Sequence, residues 1–482
     1  MTGHMKPESL YKALTSRDRR FDGRVFFGVK STGIYCRPIC PAKTPLAKNV
    51  EFFPTAAAAE QSGYRACMRC RPETSPGTPA WSGSLASVSR ALRRISAGAI
   101  QEKGVTGLAE ELGMSERHLS RLFAEHLGAP PHAIDLVRRL DLARQMVDNS
   151  DLSITEIAIA TGFDSIRRFN DAFLKRFARS PSALRKAQTV EGSEGMLTWR
   201  LAYRPPFAGD SLFSFLAKRA LTGVEAGDAK TYRRTVRLKG GPTILVIRHL
   251  PERHAVEVSV PSGHLVDLLD VSRRVRCLLD LDADPMAIVA QWKGDPILAA
   301  ELKRAPGLRV PGCWDGFELA VRAIVGQQVS VEGARTVTSR LVERFGEPVS
   351  IPAWPELNKL FPTPAAFASA GGTGWGMPEA RAQTIRTLAA AVARGEISLE
   401  PDADPIRVRE QLVALPGIGP WTAEYVAMRA LRDPDAFPFS DLVVKREVKA
   451  LGAKVDLESW RPWRAYAVIY LWNRAGFMEA KK

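Results

Sequence analysis

The sequence predicts a multidomain chain, α+β in two places and mainly α elsewhere. A small metal-bound α+β module comes first, then a helical domain of two tandem helix-turn-helix units. An α+β subdomain follows, and a large helical domain closes the chain. Three observations predict this order. Four cysteines are spaced as two close pairs near the front. Two stretches repeat a helix, a glycine turn and a second helix. A glycine-rich string, LPGIGPWTAEYVAMRAL at 415–431, joins two helical patterns near the end.

At 482 residues the chain exceeds what one hydrophobic core supports. Two stretches read as linkers: 72–84 (PETSPGTPAWSGS) and 188–195 (QTVEGSEG), both polar and broken by Gly or Pro. They leave domains at 1–71, 85–187 and 196–482, and the last divides into 196–280 and 281–482. The net charge is +16, and residues 1–190 hold 29 Lys and Arg against 18 Asp and Glu. A basic front half suits an anionic partner, most simply nucleic acid. No apolar run approaches the roughly 20 residues that span a bilayer, and the start, MTGHMKPESLYKAL, lacks a secretory apolar core. A cytoplasmic protein without membrane partners is expected. In that reducing setting, clustered cysteines suit a metal or reactive thiols better than disulfides.

Cys36, Cys40, Cys67 and Cys70 form C-x3-C, a 26-residue gap, then C-x2-C. Two close pairs across a loop match a tetrahedral Zn²⁺ site. Zinc keeps cysteine as thiolate, which is the nucleophilic form. Arg37, Lys43, Arg65, Arg69 and Arg71 lie close in sequence. A centre of four thiolates carries −2, and alkylating one sulfur makes it −1. Repulsion towards DNA phosphate then falls, an electrostatic switch. The residues leave open which sulfur reacts. Residues 8–73, with RDRRFDGRVFFGVKSTGIYCRPIC and YRACMRCRP, resemble the amino-terminal domain of the Ada family of alkylation-response proteins. The resemblance implies that Cys36 accepts a methyl group from a DNA methylphosphotriester while also serving as a ligand. Cys40, Cys67 and Cys70 would be the supporting ligands. Cys277 and Cys313 have no partners nearby in sequence and read as core or incidental.

Residues 105–127 and 154–177 each read as helix, turn, helix, with Gly113 and Gly162 at the turns and Ser115 and Ser165 as caps. The second helices offer Arg117, His118, Ser120 and Arg121, then Ser165, Arg167, Arg168 and Asn170, to a major groove. Over residues 85–187, ending in SPSALR at Arg185, the pair resembles the AraC family of transcription regulators. Promoter binding and contact with RNA polymerase are what that implies.

Residues 196–260 alternate apolar and polar in MLTWRLAY, TYRRTVRL, TILVIRHL and AVEVSV, as antiparallel strands do. From Leu265 the pattern is mostly helical. In LPGIGPWTAEYV, Gly417 and Gly419 permit a tight hairpin, and free N–H groups of the next helix can hold a DNA phosphate. Twenty-two residues past Gly419 lies Asp441, which by itself reads equally as a helix cap or as a partner of Lys445. With GCWDGFELAVRAIVGQQVSV upstream and WRPWRAYAVIYLW downstream, residues 196–477 resemble the AlkA family of 3-methyladenine DNA glycosylases, in the helix-hairpin-helix superfamily.

The resemblance implies that Asp441 is catalytic and that a monovalent cation sits on hairpin carbonyls. Trp421 stands where strand-cutting relatives carry a Schiff-base Lys, and no Cys follows Cys313 to build an iron–sulfur cluster. A monofunctional glycosylase is therefore expected. An alkylated purine is cationic, and electron-rich rings favour it. Trp421, Tyr425, Trp463 and Trp472 are the candidate rings. Gln328 occupies the position of the family's Leu wedge, and Leu442 follows Asp441 where the family has an aromatic. The PCHR motif of an alkylguanine methyltransferase is absent. The expected whole is a sensor, activator and repair glycosylase acting on double-stranded DNA. The alternative is a DNA-binding regulator whose glycosylase half is catalytically weak.

Overall fold

The computed structural model describes residues 7–18, 21–67, 69, 70, 72, 86–150, 152–185, 195–295, 297–371, 374–452 and 456–478. The expected linkers, apart from Pro72 and Gly195, lie outside the described residues, as does Arg71. The chain divides into two compact units. One holds residues 1–205, 250–273 and 281–285. The other holds 206–249, 274–280 and 286–482.

The first unit opens with a four-stranded sheet in the order Val50–Phe53, Phe26–Val29, Ile34–Cys36, Arg65–Ala66. Three strands pair antiparallel, and the last runs parallel to Ile34–Cys36. A short helix, Ala56–Gln61, packs its alanines inward and is started by Thr55, whose hydroxyl accepts from Ala58 N at 3.0 Å. The same hydroxyl donates to Leu127 O at 3.0 Å, so one side chain both caps this helix and holds the helical layer beside it.

That layer carries the two helix-turn-helix units. The first reading helix is Glu116–Leu127 and the second is Ile166–Phe177, joined through the long helix Pro131–Asn149. Gly113 and Gly162 adopt φ of 69° and 76°, which only glycine takes without strain. Ser115 and Ser165 cap the helices by accepting from His118 N and Arg168 N. The sequence pattern placed the first unit from residue 105. Its opening helix instead starts at Ala99 and breaks at Gly104, φ 71°. A buried set that includes Leu108, Leu119, Phe123 and Leu127 forms the core here. Strands Met196–Ala202 and Ala255–Pro261 add an antiparallel ladder whose alternate residues are buried.

The second unit begins with the helix Gly209–Ala217, then the antiparallel strands Glu225–Gly227, Thr231–Leu238 and Gly241–Leu250. The four strands read from alternation match those observed. The helix Gly209–Ala217 and the short strand Glu225–Gly227, which fall between the first and second of those four, carry too little periodicity to be seen. Helices follow. Gly316–Val325 is buried at every position except Arg322, and Arg464–Arg474 is buried from Ala465 to Asn473. Burial on all sides marks both as central core helices rather than surface ones. Among the described residues no helix is long and apolar enough to cross a membrane.

Candidate functional sites

Cys36 ends its strand and Cys67 directly follows the partner strand, where Tyr35 pairs with Ala66. The parallel register thus brings the two cysteine pairs together. All four sulfurs lie within 4.8 Å of one another, and all four residues are buried. Zinc–sulfur bonds of about 2.3 Å in a tetrahedron need sulfurs about 3.8 Å apart, so the donor set fits Zn²⁺. Such close thiolates require a cation to share, and none of the four is exposed to find one in solvent.

The neighbouring cations do not act alike. Lys43, Arg65 and Arg69 are exposed. Arg37 is 8% exposed and engaged: Nε donates to Asp22 Oδ1 at 2.7 Å and Nη1 to Cys70 O at 3.2 Å. Its backbone N–H donates to Cys70 Sγ at 3.3 Å. Arg37 therefore braces the cysteine cluster and is no part of a solvent-facing basic patch. Asp22 lies fifteen residues away, and no motif announces it.

In the helix-turn-helix pair, Arg117, His118 and Arg121 are exposed on the first reading helix, and Arg167 and Arg168 on the second. Ser120 and Asn170 are half-buried. The opposite faces bury Leu119 and Phe123, then Phe169, Phe173 and Phe177. Each helix thus has one packed face and one polar face, the geometry a groove-reading helix needs.

The second unit holds a cavity of about 1000 Å³. The glycine string forms the expected hairpin between helices Pro405–Val413 and Pro420–Arg429. Gly417 has φ 86°, and a side chain there would strike Thr384 Oγ1. Gly417 and Gly419 face solvent while Ile418 pins the turn inward.

Asp441 caps the helix Leu442–Leu451. Its Oδ1 accepts from Val443 N and Val444 N, both at 3.0 Å. It also lines the cavity, where Trp421 Nε1 donates to Oδ2 at 3.1 Å and Trp472 Nε1 to Oδ1 at 3.4 Å. Cap and cavity carboxylate are one residue: the cap fixes the rotamer that faces the cavity. Trp421 stacks on Tyr425 at 5.2 Å and 23°, and Tyr425 meets Trp472 at 6.2 Å. Three of the four expected rings thus come together. Trp463 does not join them. It is buried edge-on against Tyr466 and is not among the residues lining the cavity.

Gln328 and Leu442 both reach the cavity rim. Gln328 is exposed with φ 58°, and Leu442 is 79% exposed. Sequence reasoning missed the far wall. There Arg219 lies 3.6 Å over the Phe215 ring, and burial brings its pKa down to about 10. Arg429 bonds the Tyr425 hydroxyl and donates to Pro311 O at 2.7 Å. Beneath them, burial pushes Glu225 up, but Arg322 and Arg234 prevail and hold it at about 2. These residues are scattered from 215 to 429, so no local motif could reveal them.

Known proteins show the same parts in the same order. Residues 9–73 match the metal binding domain of Ada, 108–187 a helix-turn-helix domain, and 198–315 the AlkA N-terminal domain. Residues 321–458 match the HhH-GPD superfamily of base excision DNA repair proteins. A Mycobacterium tuberculosis protein described as a probable bifunctional transcriptional activator/DNA repair enzyme AlkA is 42% identical, over 97% of this chain and 96% of its own. The chain belongs to that family. Within the family, its back part is 31% identical to DNA-3-methyladenine glycosylase 2 of Escherichia coli, covering 58% of this chain and 98% of that one. A solved 3-methyladenine DNA glycosylase from Archaeoglobus fulgidus matches 57% of this chain and 98% of its own, with 25% identity and a TM-score of 0.50. The AlkA-type chain is therefore a DNA-binding protein with an Ada-type metal module, a helix-turn-helix domain and a DNA glycosylase domain.

Proposed function

We propose that this chain senses alkylation on the DNA backbone and removes alkylated bases. The single observation that carries the excision reading is Asp441. Its carboxylate is held at a helix start and touched by two indole N–H groups, inside a cavity walled by stacked rings.

In this reading, exposed hairpin N–H groups hold a phosphate and the lesion turns out of the duplex into the cavity. An alkylated purine such as 3-methyladenine is cationic, and Trp421, Tyr425 and Trp472 receive it by cation–π contact. The bond between C1′ and the base nitrogen breaks, with the electron pair leaving on the base. Asp441 stabilises the positive charge that grows on the sugar and orients the attacking water. The product is an abasic site, and no Lys stands in the hairpin to cut the strand. A monovalent cation would lie on hairpin carbonyls. Leu415, Pro416 and Gly417 oxygens each accept one bond, from Ile418, Thr384 and Gln327, and keep a second lone pair. No step depends on that cation.

At the front, Zn²⁺ would hold Cys36, Cys40, Cys67 and Cys70 as thiolates. Cys36 then attacks the methyl carbon of a methylphosphotriester. A sulfur–carbon bond forms, the carbon–oxygen bond breaks, and the phosphate recovers its negative charge. The lowered charge of the cluster favours DNA, and Arg117, Arg121, Arg167 and Arg168 contact promoter DNA for activation with RNA polymerase. Domain limits at 1–71, 85–187, 196–280 and 281–482 belong to this reading.

Incubating the full chain with DNA carrying labelled methyl groups tests both halves. Free 3-methyladenine should appear, and label should enter the protein at Cys36. DNA binding without base release would favour a regulator with a silent glycosylase half.

A further inference from the structure

Gln328 sits at φ 58° in the turn between helices Gly316–Val325 and Val331–Phe345. An exposed residue with a side chain holds that conformation only when its surroundings enforce it. The enforcement is visible one residue earlier. The Gln327 side-chain amide donates twice, to Gly417 O at 3.2 Å and to Thr422 Oγ1 at 3.0 Å. Gln327 O in turn accepts from Arg381 Nη2 at 2.9 Å. Arg381 lies one turn from Thr384 on the helix Glu379–Ala393, and Thr384 donates to Pro416 O at 3.0 Å. The same helix therefore holds both the turn and the hairpin, and Gln327 stitches the two to each other.

We infer that Gln327 is a positioning residue which couples the phosphate-gripping hairpin to the Gln328 turn, so that gripping the backbone and filling the gap left by a flipped base are one event. The inference rests on the excision reading and adds a link that it does not contain. A free turn would let Gln328 relax to ordinary φ and swing away from the gap. A polar wedge gains little from stacking against bases, so this chain depends on rigid placement more than one with an apolar wedge. Both hydrogen bonds come from one side-chain amide, which makes the link separable by a single substitution.

The test compares the full-length wild type with Gln327→Leu and, separately, Arg381→Met. Each is given DNA with 3-methyladenine in a normal pair and DNA with the same lesion opposite an abasic gap, where its base pair is already missing and flipping is easier. A 2-aminopurine beside the lesion reports flipping by its fluorescence. On the normal duplex, Gln327→Leu should lose most of the fluorescence rise and slow single-turnover excision at least tenfold. On the unpaired lesion its excision should return to within threefold of wild type. Arg381→Met should shift both readouts the same way. An equal loss on both DNAs would mean that the amide merely supports the fold, and an unchanged fluorescence rise on the duplex would overturn the coupling. A wild type that flips the base yet releases none would sink the excision reading alone, because fluorescence still scores the coupling.

Discussion

Trp421 Nε1 donates to Asp441 Oδ2 at 3.1 Å, from a helix that starts at the hairpin to a helix that starts at the carboxylate itself. The bond ties the hairpin helix to the carboxylate proposed as catalytic. Oδ1 is meanwhile occupied by two backbone N–H groups and the Trp472 indole. The carboxylate thus has little freedom to rotate, and its placement in the cavity is set by the protein itself. Preorganised charge of this kind is what a developing cation needs.

Asp441→Asn keeps one acceptor oxygen for the helix cap but removes the charge. Binding to DNA with an abasic-site analogue should stay within threefold of wild type. Excision of 3-methyladenine should fall at least about a hundredfold, the usual scale for a lost acid–base or electrostatic group. Single-turnover kinetics with quantified base release would measure it. Unchanged rates would exclude Asp441 as the catalytic carboxylate.

Trp421→Phe separates stacking from hydrogen bonding. The ring over Tyr425 survives, while the N–H to Asp441 is gone. A hydrogen bond to a charged group contributes about 1.5–3 kcal/mol, so excision should slow by about tenfold or more. Affinity for an abasic analogue, which has no base to stack, should barely change. A loss of affinity without a loss of rate would assign Trp421 to DNA binding instead.

Sequence alone reached those features that one local stretch encodes. Gly113, Ser115 and the spacing of Leu119 and Phe123 write a helix-turn-helix within twenty residues, and Cys36 to Cys70 write a metal site. Asp441 was legible as a helix cap from its own surroundings, and as more than a cap only through the family resemblance of the hairpin string. What escaped needed contacts far apart in the chain. Arg37 read only as one of five cations near the cysteines because Asp22 is remote. Trp463 read as a pocket ring because its string is aromatic, yet it sits just before the helix Arg464–Arg474 and packs edge-on against Tyr466. Phe215 and Arg219 enter the cavity only because the preceding subdomain packs there, which no periodicity announces.

The four cysteines belong to one compact unit and the aromatic cavity to the other. Stripping zinc with a strong chelator under reducing conditions should therefore abolish methyl uptake and leave excision within twofold. The sulfurs supply most of a small core with Leu14 and Phe27, so the front module should also lose protection from protease. Cys36→Ala should end methyl uptake, read as a missing +14 dalton product, with three ligands remaining. Normal uptake by that variant would move the acceptor role to another sulfur.

The buried Arg176 of the helix Ile166–Phe177 pairs with the half-buried Glu60 of the cysteine module. Arg176 Nη2 also donates to Asp141 at 2.6 Å, and Tyr35, beside Cys36, donates to Glu60 at 2.7 Å. Burial pushes the Tyr35 phenol well above 10, further than Arg176 draws it down, so it stays a donor. Glu60→Ala would strand this hydroxyl and leave Arg176 with Asp141. An unmet buried group costs about 1–3 kcal/mol. Glu51→Ala is the matched control, since Glu51 accepts from Tyr64 at 2.9 Å on an exposed face, where such losses stay within about 0.5 kcal/mol. Denaturant unfolding of the full chain, followed by protease susceptibility of the front module, should show a clear shift for Glu60→Ala and almost none for Glu51→Ala. Equal shifts would mean that the seam around Arg176 adds nothing beyond an ordinary surface contact.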